Sequence, residues 1–118
     1  MPSFLPVLAS ASINGRPILV AASGSPGTAL HTGVSGTQSM DEVWIWANNN
    51  HTGDVNLTIE FGATGVPDNA TICSVPYKSG AFLIVPGWRV NNTGVVRAYT
   101  SVANVLNCSV NVNRYSLP

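Results

Sequence analysis

The sequence predicts an all-β fold, an antiparallel β-sandwich or jelly roll of about eight strands with an extended arm at its N-terminus. Three observations predict it. Several runs alternate apolar and polar residues with the period of a half-buried strand, turn-forming Gly, Pro and Asn recur at short intervals, and no segment repeats its apolar residues at helical spacing. The composition agrees, with 12 Asn, 12 Ser, 9 Thr and 11 Gly among 118 residues. That length suits one domain, which would bury roughly two thirds of its unfolded surface without metals or cross-links.

From the N-terminus, Phe4, Leu5, Val7, Leu8 and Ile13 are apolar, while Pro2 and Pro6 deny a helix. Asn14-Gly15-Arg16-Pro17 reads as a turn. Residues 1–16 are therefore expected as an extended arm, and residues 17–118 as a single sandwich domain. Such an arm either folds back as an edge strand or adds main-chain hydrogen bonds to the sheet edge of another protein. Strands are expected at 17–22, 28–32, 42–48, 55–61, 71–77, 81–85, 95–100 and 104–114. Between them lie Ser25-Pro26-Gly27, His51-Thr52-Gly53, Gly65-Val66-Pro67-Asp68, Pro86-Gly87 and Asn92-Thr93-Gly94, each carrying residues that set or permit turn geometry.

Two strands have a plain inside and outside. Val55, Leu57, Ile59 and Phe61 oppose Asn56, Thr58 and Glu60, and Leu106, Cys108, Val110 and Val112 oppose Asn107, Ser109, Asn111 and Asn113. The run DEVWIWANNN differs, because Val43, Ile45 and Ala47 take one face and Trp44 and Trp46 the other, so both faces are apolar. AFLIVPGW is likewise apolar on both sides. A small domain has one core, so the second face is covered by loops or by a neighbouring subunit, where Trp and Tyr are favoured anchors. The candidate interface residues are Phe4, Leu5, Val7 and Leu8 of the arm together with Trp44, Trp46 and Trp88.

Charged residues make up 8% of the chain, five basic against five acidic, where about 25% is ordinary. Such a surface resists association poorly and favours life inside an assembly. Nucleic acid is an unsuited partner, because Arg16, Lys78, Arg89, Arg97 and Arg114 form no basic stripe. The opening MPSFLPVLASAS lacks the basic residues of a secretory signal, and Pro6 interrupts its apolar run. No stretch approaches the ~20 apolar residues of a membrane span, so no membrane partner is expected. Cys73 and Cys108 are too few for a disulfide framework and read as buried small hydrophobes, with a disulfide as the alternative. Five Asn-x-Ser/Thr sequons, at Asn50, Asn56, Asn69, Asn91 and Asn107, follow from a composition this rich in those residues.

Chemistry is sparse. His31 and His51 are the only histidines, and neither has Cys or carboxylate at metal-ligand spacing, so no metal or other cofactor is expected. No nucleophile elbow, phosphate loop or dinucleotide fingerprint occurs, and Gly62-Ala63-Thr64-Gly65 is not followed by a helix. A Ser, His and Asp triad would have to assemble from distant positions. The expectation is a protein without enzymatic activity.

The run GRPILVAASGSPGTALHT, then DEVWIWANN, LTIEFGATGVPD, VPGWRVNNTGVVRAY and finally ANVLNCSVNVNRY resembles, in that order, small virion proteins of tailed bacteriophages. The resemblance covers about residues 15–115 and leaves the arm outside. It implies a structural part of the particle, a capsid decoration or cement protein, assembled in the host bacterial cytoplasm and resident in the virion. It also implies a homotrimer at local three-fold positions with the major capsid protein as partner, the arm reaching the lattice. The alternatives are a neck or tail component, or a receptor- or glycan-binding module using Trp44, Trp46, Trp88 or Tyr99 as stacking platforms.

Overall fold

Alternating apolar side chains build two antiparallel sheets that face each other across one core. The protein is described by a computed structural model covering residues 3–64 and 68–116. Pro2 of the expected arm and Gly65-Val66-Pro67 of one expected turn lie outside the described residues. Among the described residues there are nine strands: β1 (Ser3–Leu8), β2 (Ile18–Leu19), β3 (Thr28–Thr32), β4 (Met40–Asn49), β5 (Val55–Gly62), β6 (Ala70–Val75), β7 (Phe82–Val90), β8 (Val95–Thr100) and β9 (Leu106–Ser116). One sheet has the order β1-β9-β4-β7, with β2 also on β9, and the other β3-β8-β5-β6.

β1 and β2 pair successive stretches of the same neighbour, Leu8 opposite Asn111 and Ile18 opposite Cys108. They act as one edge strand interrupted by residues 9–17. Counted so, eight strands alternate between the sheets except at β5 and β6, which form a hairpin, and the order is that of a jelly roll. Residues 3–16 thus do not stand apart from the sandwich as an arm. The extended conformation that Pro6 favours is satisfied by β9, and Ala9 is buried in the core.

The excursion between β1 and β2 closes one side of the sandwich. Ala11 N–H donates to the Leu30 carbonyl at 3.2 Å, and Thr32 N–H donates to Ser10 Oγ at 2.7 Å, so the free edge of β3 is covered. The core lies between Val43, Ile45, Ala47, Leu106, Cys108 and Val112 of one sheet and Leu30, Val55, Leu57, Ile59, Val96 and Ala98 of the other. Complete burial of a side chain such as Leu57 or Ile59 contributes about 1.5–3 kcal/mol. Cys73 and Cys108 are free thiols, and of the two expected buried hydrophobes Cys108 is buried whereas Cys73 is half-buried.

Three local expectations change. Pro86-Gly87 is not a turn between strands but a bulge within β7, where the register against β4 shifts between Val43 and Trp44. Gly87 takes a φ of +81° there, the left-handed region that a side chain resists. The stretch 17–22 contributes only Ile18–Leu19 as strand. Thr58 and Glu60, expected on a wet face, are buried. The Ser25-Pro26-Gly27 turn folds over Glu60, whose carboxylate accepts from Ser25 Oγ at 2.6 Å and from Gly27 N–H at 2.7 Å. A polar side chain on a strand's outer face is thus satisfied by a loop instead of by water.

Candidate interaction surface

β4 answers the question raised by its two apolar faces. Asp41, Val43, Ile45, Ala47 and Asn49 are buried, while Glu42, Trp44 and Trp46 are half-buried on the opposite, outer face. Residues directly opposite on neighbouring strands share a face. Register therefore places Leu8, Asn111, Trp44 and Pro86 in one row, Pro6, Asn113, Glu42 and Arg89 in the next, and Phe4, Tyr115 and Met40 beyond it. Trp46 lies between Ser109 and Leu83 on the other side of the Trp44 row. Four strands crossed by such rows span on the order of 500 Å².

The tryptophans are held in place. Their rings are near-parallel, with an interplanar angle of 17° and centroids 6.2 Å apart. Trp44 Nε1–H donates to Glu42 Oε1 at 2.8 Å, and the bulge at Gly87 makes room for the ring. Asn113 Nδ2 and Tyr115 Oη also donate to Glu42, at 3.2 and 3.1 Å. The Trp44 hydrogen bond first, then that from Asn113, hold the Glu42 carboxyl below its ordinary value against a burial that acts the other way. Phe4 packs edge-on against Tyr115 at 4.9 Å, and the Arg89 guanidinium lies over the same tyrosine ring at 5.5 Å. Around Trp44 and Trp46 runs a shallow groove of about 500 Å³, bordered by Glu42, Asn111, Asn113 and Pro6.

The structure divides the residues singled out from sequence. Phe4, Leu8, Trp44 and Trp46 share this outer face, whereas Leu5 and Val7 have the opposite parity, and Val7 packs against the core. Trp88 is opposite Val43, whose side chain is buried between the sheets, and it meets Phe61 of the other sheet edge-on at 5.5 Å. Tyr99 lies opposite Thr58 on the second sheet. The four aromatics of a stacking platform do not converge, and only Trp44 and Trp46 meet. Sequence reasoning missed Glu42, Tyr115 and the amide column Asn111 and Asn113, which alternation alone marks as a solvated back. Their signal is positional, since they oppose the tryptophans once the strand order is known.

His31 is the one histidine with a carboxylate partner in the interior. Its Nδ1 accepts from Ser10 N–H at 3.0 Å, so Nε2 carries the proton and donates to Asp41 Oδ2 at 2.7 Å. Arg114 adds two bonds to the same carboxylate, Nε to Oδ1 at 2.8 Å and Nη2 to Oδ2 at 3.0 Å, and Val34 N–H a further one at 3.0 Å. Burial works to raise the Asp41 pKa, but the hydrogen bonds from Arg114 and His31, with the charge of Arg114, outweigh it and hold the carboxyl below its usual value. Ser10 lies beside this pair, yet its hydroxyl accepts from Thr32 N–H and the imidazole is buried. The constellation is an inter-sheet clamp, with no nucleophile presented to a substrate. Among the described residues no group of three or more His, Cys, Asp or Glu is placed to hold a metal.

No family model matches the chain, and no curated protein gives a match to it.

Proposed function

We propose that this chain is a non-enzymatic structural protein of a tailed-bacteriophage particle. It decorates or cements the capsid, laying the outer face of the β1-β9-β4-β7 sheet against the major capsid protein or against further copies of itself. The observation that carries this reading is the composition of that face. Phe4, Leu8, Trp44, Trp46, Leu83 and Tyr115 are aromatic or apolar, and its two charged groups, Glu42 and Arg89, are already engaged by neighbours. Exposed apolar patches of about 300–600 Å² are commonly functional, and aromatic anchors dominate the energetics of protein interfaces. The ordered run of virion-protein motifs in the sequence supports the same reading. The jelly roll serves viral shells among other uses and does not by itself select a function. The two free thiols suit assembly in a reducing cytoplasm.

The mechanism is mass action. A protein that binds the assembled shell and not its free subunits stabilises the shell at every occupied site. The resemblance implies that such copies gather as a homotrimer on the shell, around its local three-fold axes. Co-sedimentation of the purified protein with undecorated tailed-phage shells tests the reading. Phe4→Ser with Leu8→Ser removes exposed anchors and is expected to weaken attachment at least tenfold. Failure of the intact chain to bind such shells would refute a capsid role.

The groove along Trp44 and Trp46 favours a second reading, a glycan-binding module, because indole faces flanked by the Asn111 and Asn113 amides suit a polyhydroxylated ring. Saturable binding of an oligosaccharide, lost in Trp46→Ala and unaffected by shells, would select it.

A further inference from the structure

The four sheet edges are not alike. β1 carries Pro6, which has no N–H to offer; β7 carries Pro86 and two register shifts; and β3 is covered by Ser10 and Ala11. β6, Ala70–Val75, is the fourth. Among the described residues it pairs only with β5; it contains no proline, no charge and no bulge, and exposes 63% of Ile72. Natural sheets rarely leave such an edge unguarded unless something pairs with it.

The hydrogen bonding shows which β6 groups are free. Phe61 N–H donates to Asn69 O at 2.9 Å, and Ser101 N–H donates to Asn56 O at 3.0 Å. Residues that exchange bonds with one neighbour alternate along an antiparallel ladder. Leu57 and Ile59 of β5 therefore bond to Cys73 and Thr71 of β6, while Thr58 and Glu60 bond to β8. Ala70, Ile72 and Ser74 turn their N–H and C=O groups the other way, toward the free edge. Among the described residues none of these groups has a partner.

We infer that β6 pairs antiparallel with β6 of a second copy across a two-fold axis at Ile72. The spacing of the free groups makes this edge complementary to itself. With Ile72 opposite Ile72 of the other copy, Ala70 and Ser74 fall opposite each other, and all three outward residues of each strand enter the ladder. A shift of the axis to Thr71 or to Cys73 leaves one of the three unpaired on each strand. An isologous contact repeats each interaction twice, and an uncharged strand meets no like-charge repulsion in doing so. The exposed Ile72 side chains become cross-strand neighbours. The two copies share one eight-stranded sheet, continuous through β3-β8-β5-β6. This contact is separate from the outer face of the other sheet and does not depend on the capsid reading.

The register makes a specific prediction for cysteine trapping. Thr71 falls opposite Cys73 of the second copy in a non-hydrogen-bonded pair, where Cα atoms lie about 4.5 Å apart, within the span of a disulfide. The full chain carrying Thr71→Cys, oxidised with glutathione disulfide, is expected to form a covalent dimer on non-reducing electrophoresis. Thr71→Cys with Cys73→Ser is expected to lose it. As a second arm free of cysteine chemistry, Ile72→Pro removes an outward N–H without touching the β5 ladder. Sedimentation should then show the dimer of the intact chain dissociating at least tenfold more readily, with the melting temperature nearly unchanged. A covalent dimer that persists in the double variant, or that the unsubstituted chain forms as readily, overturns the register. An intact chain that sediments as a monomer at 100 micromolar, or an Ile72→Pro chain as dimeric as the original, overturns the contact.

Discussion

Asp41 on β4 and His31 on β3 meet at 2.7 Å across the interior, so this hydrogen bond links the two sheets of the sandwich. Both side chains are buried, and Arg114 reaches in from β9 to the same carboxylate. Removing the carboxylate leaves a buried imidazole donor and a guanidinium without their acceptor. Asp41→Ala is therefore expected to cost about 3–5 kcal/mol in urea unfolding, well above the effect of a surface substitution. A loss under about 1 kcal/mol would mean that the clamp carries no weight.

Acid should release the same clamp. The Asp41 pKa is lower in the folded chain than its ordinary value, so its contribution is complete above that value and is lost as pH falls through the lower, folded one. Stability is expected to decline below about pH 4 as this carboxylate takes up its proton. In Asp41→Asn that part of the acid slope should disappear. Parallel urea titrations of the two proteins from pH 6 to pH 2.5 check this, and identical slopes would refute it.

The N-terminal segment is structural. Deletion through Ala11 removes the six-residue pairing of β1, the buried Ala9 and the Ser10 N–H that His31 Nδ1 accepts. Leaving that acceptor unsatisfied alone costs about 1–3 kcal/mol. The melting temperature should drop by at least about 4 °C, and an unchanged melt would show that the segment is dispensable to the fold.

Gly87→Ala should disturb Trp44 from beneath. An added Cβ would lie 2.9 Å from Trp44 Cζ2, and the φ of +81° adds about 1–2 kcal/mol of backbone cost. Near-UV circular dichroism reports the stacked tryptophan pair directly. A spectrum unchanged from the parent would mean that the ring does not depend on the bulge.

The two thiols should react unequally. Burial, with a smaller contribution from nearby Cys73, pushes the Cys108 thiol up to about 12, while burial alone raises Cys73, which is only half-buried. At pH 8 a thiol reagent is expected to modify Cys73 slowly in the native protein and Cys108 only on unfolding. Rapid labelling of both would mean that the core is open at β9.

The sandwich was legible in the sequence wherever one face of a strand is wet, since period-two alternation fixes which side is buried. The bounds of β3 and β8 matched as expected, and the core side chains of β5 and β9 fell where alternation puts them. Glu60 was misplaced because a loop 33 residues away covers it, and no local pattern encodes that fold-over. Pro86-Gly87 looked like a turn because the same residue pair serves a bulge. The candidate surface was half legible. Trp44 and Trp46 declare themselves, but Phe4, Tyr115 and Glu42 join them only through strand order, and Trp88 leaves them because the register shift reverses its parity.

The place of β9 has a consequence in time. It holds β1, β2 and β4 in their sheet, yet it follows every other strand in the chain, and Ser3 pairs with Ser116. At a synthesis rate of about 5–20 residues per second, β1 waits on the order of ten seconds for its partner. Through that interval Phe4, Leu5 and Leu8 hang from an unpaired strand, and the sheet that carries the tryptophans has no centre. Until β9 has been made, the nascent chain therefore cannot complete this sheet, and those few apolar residues have no partner strand to cover them.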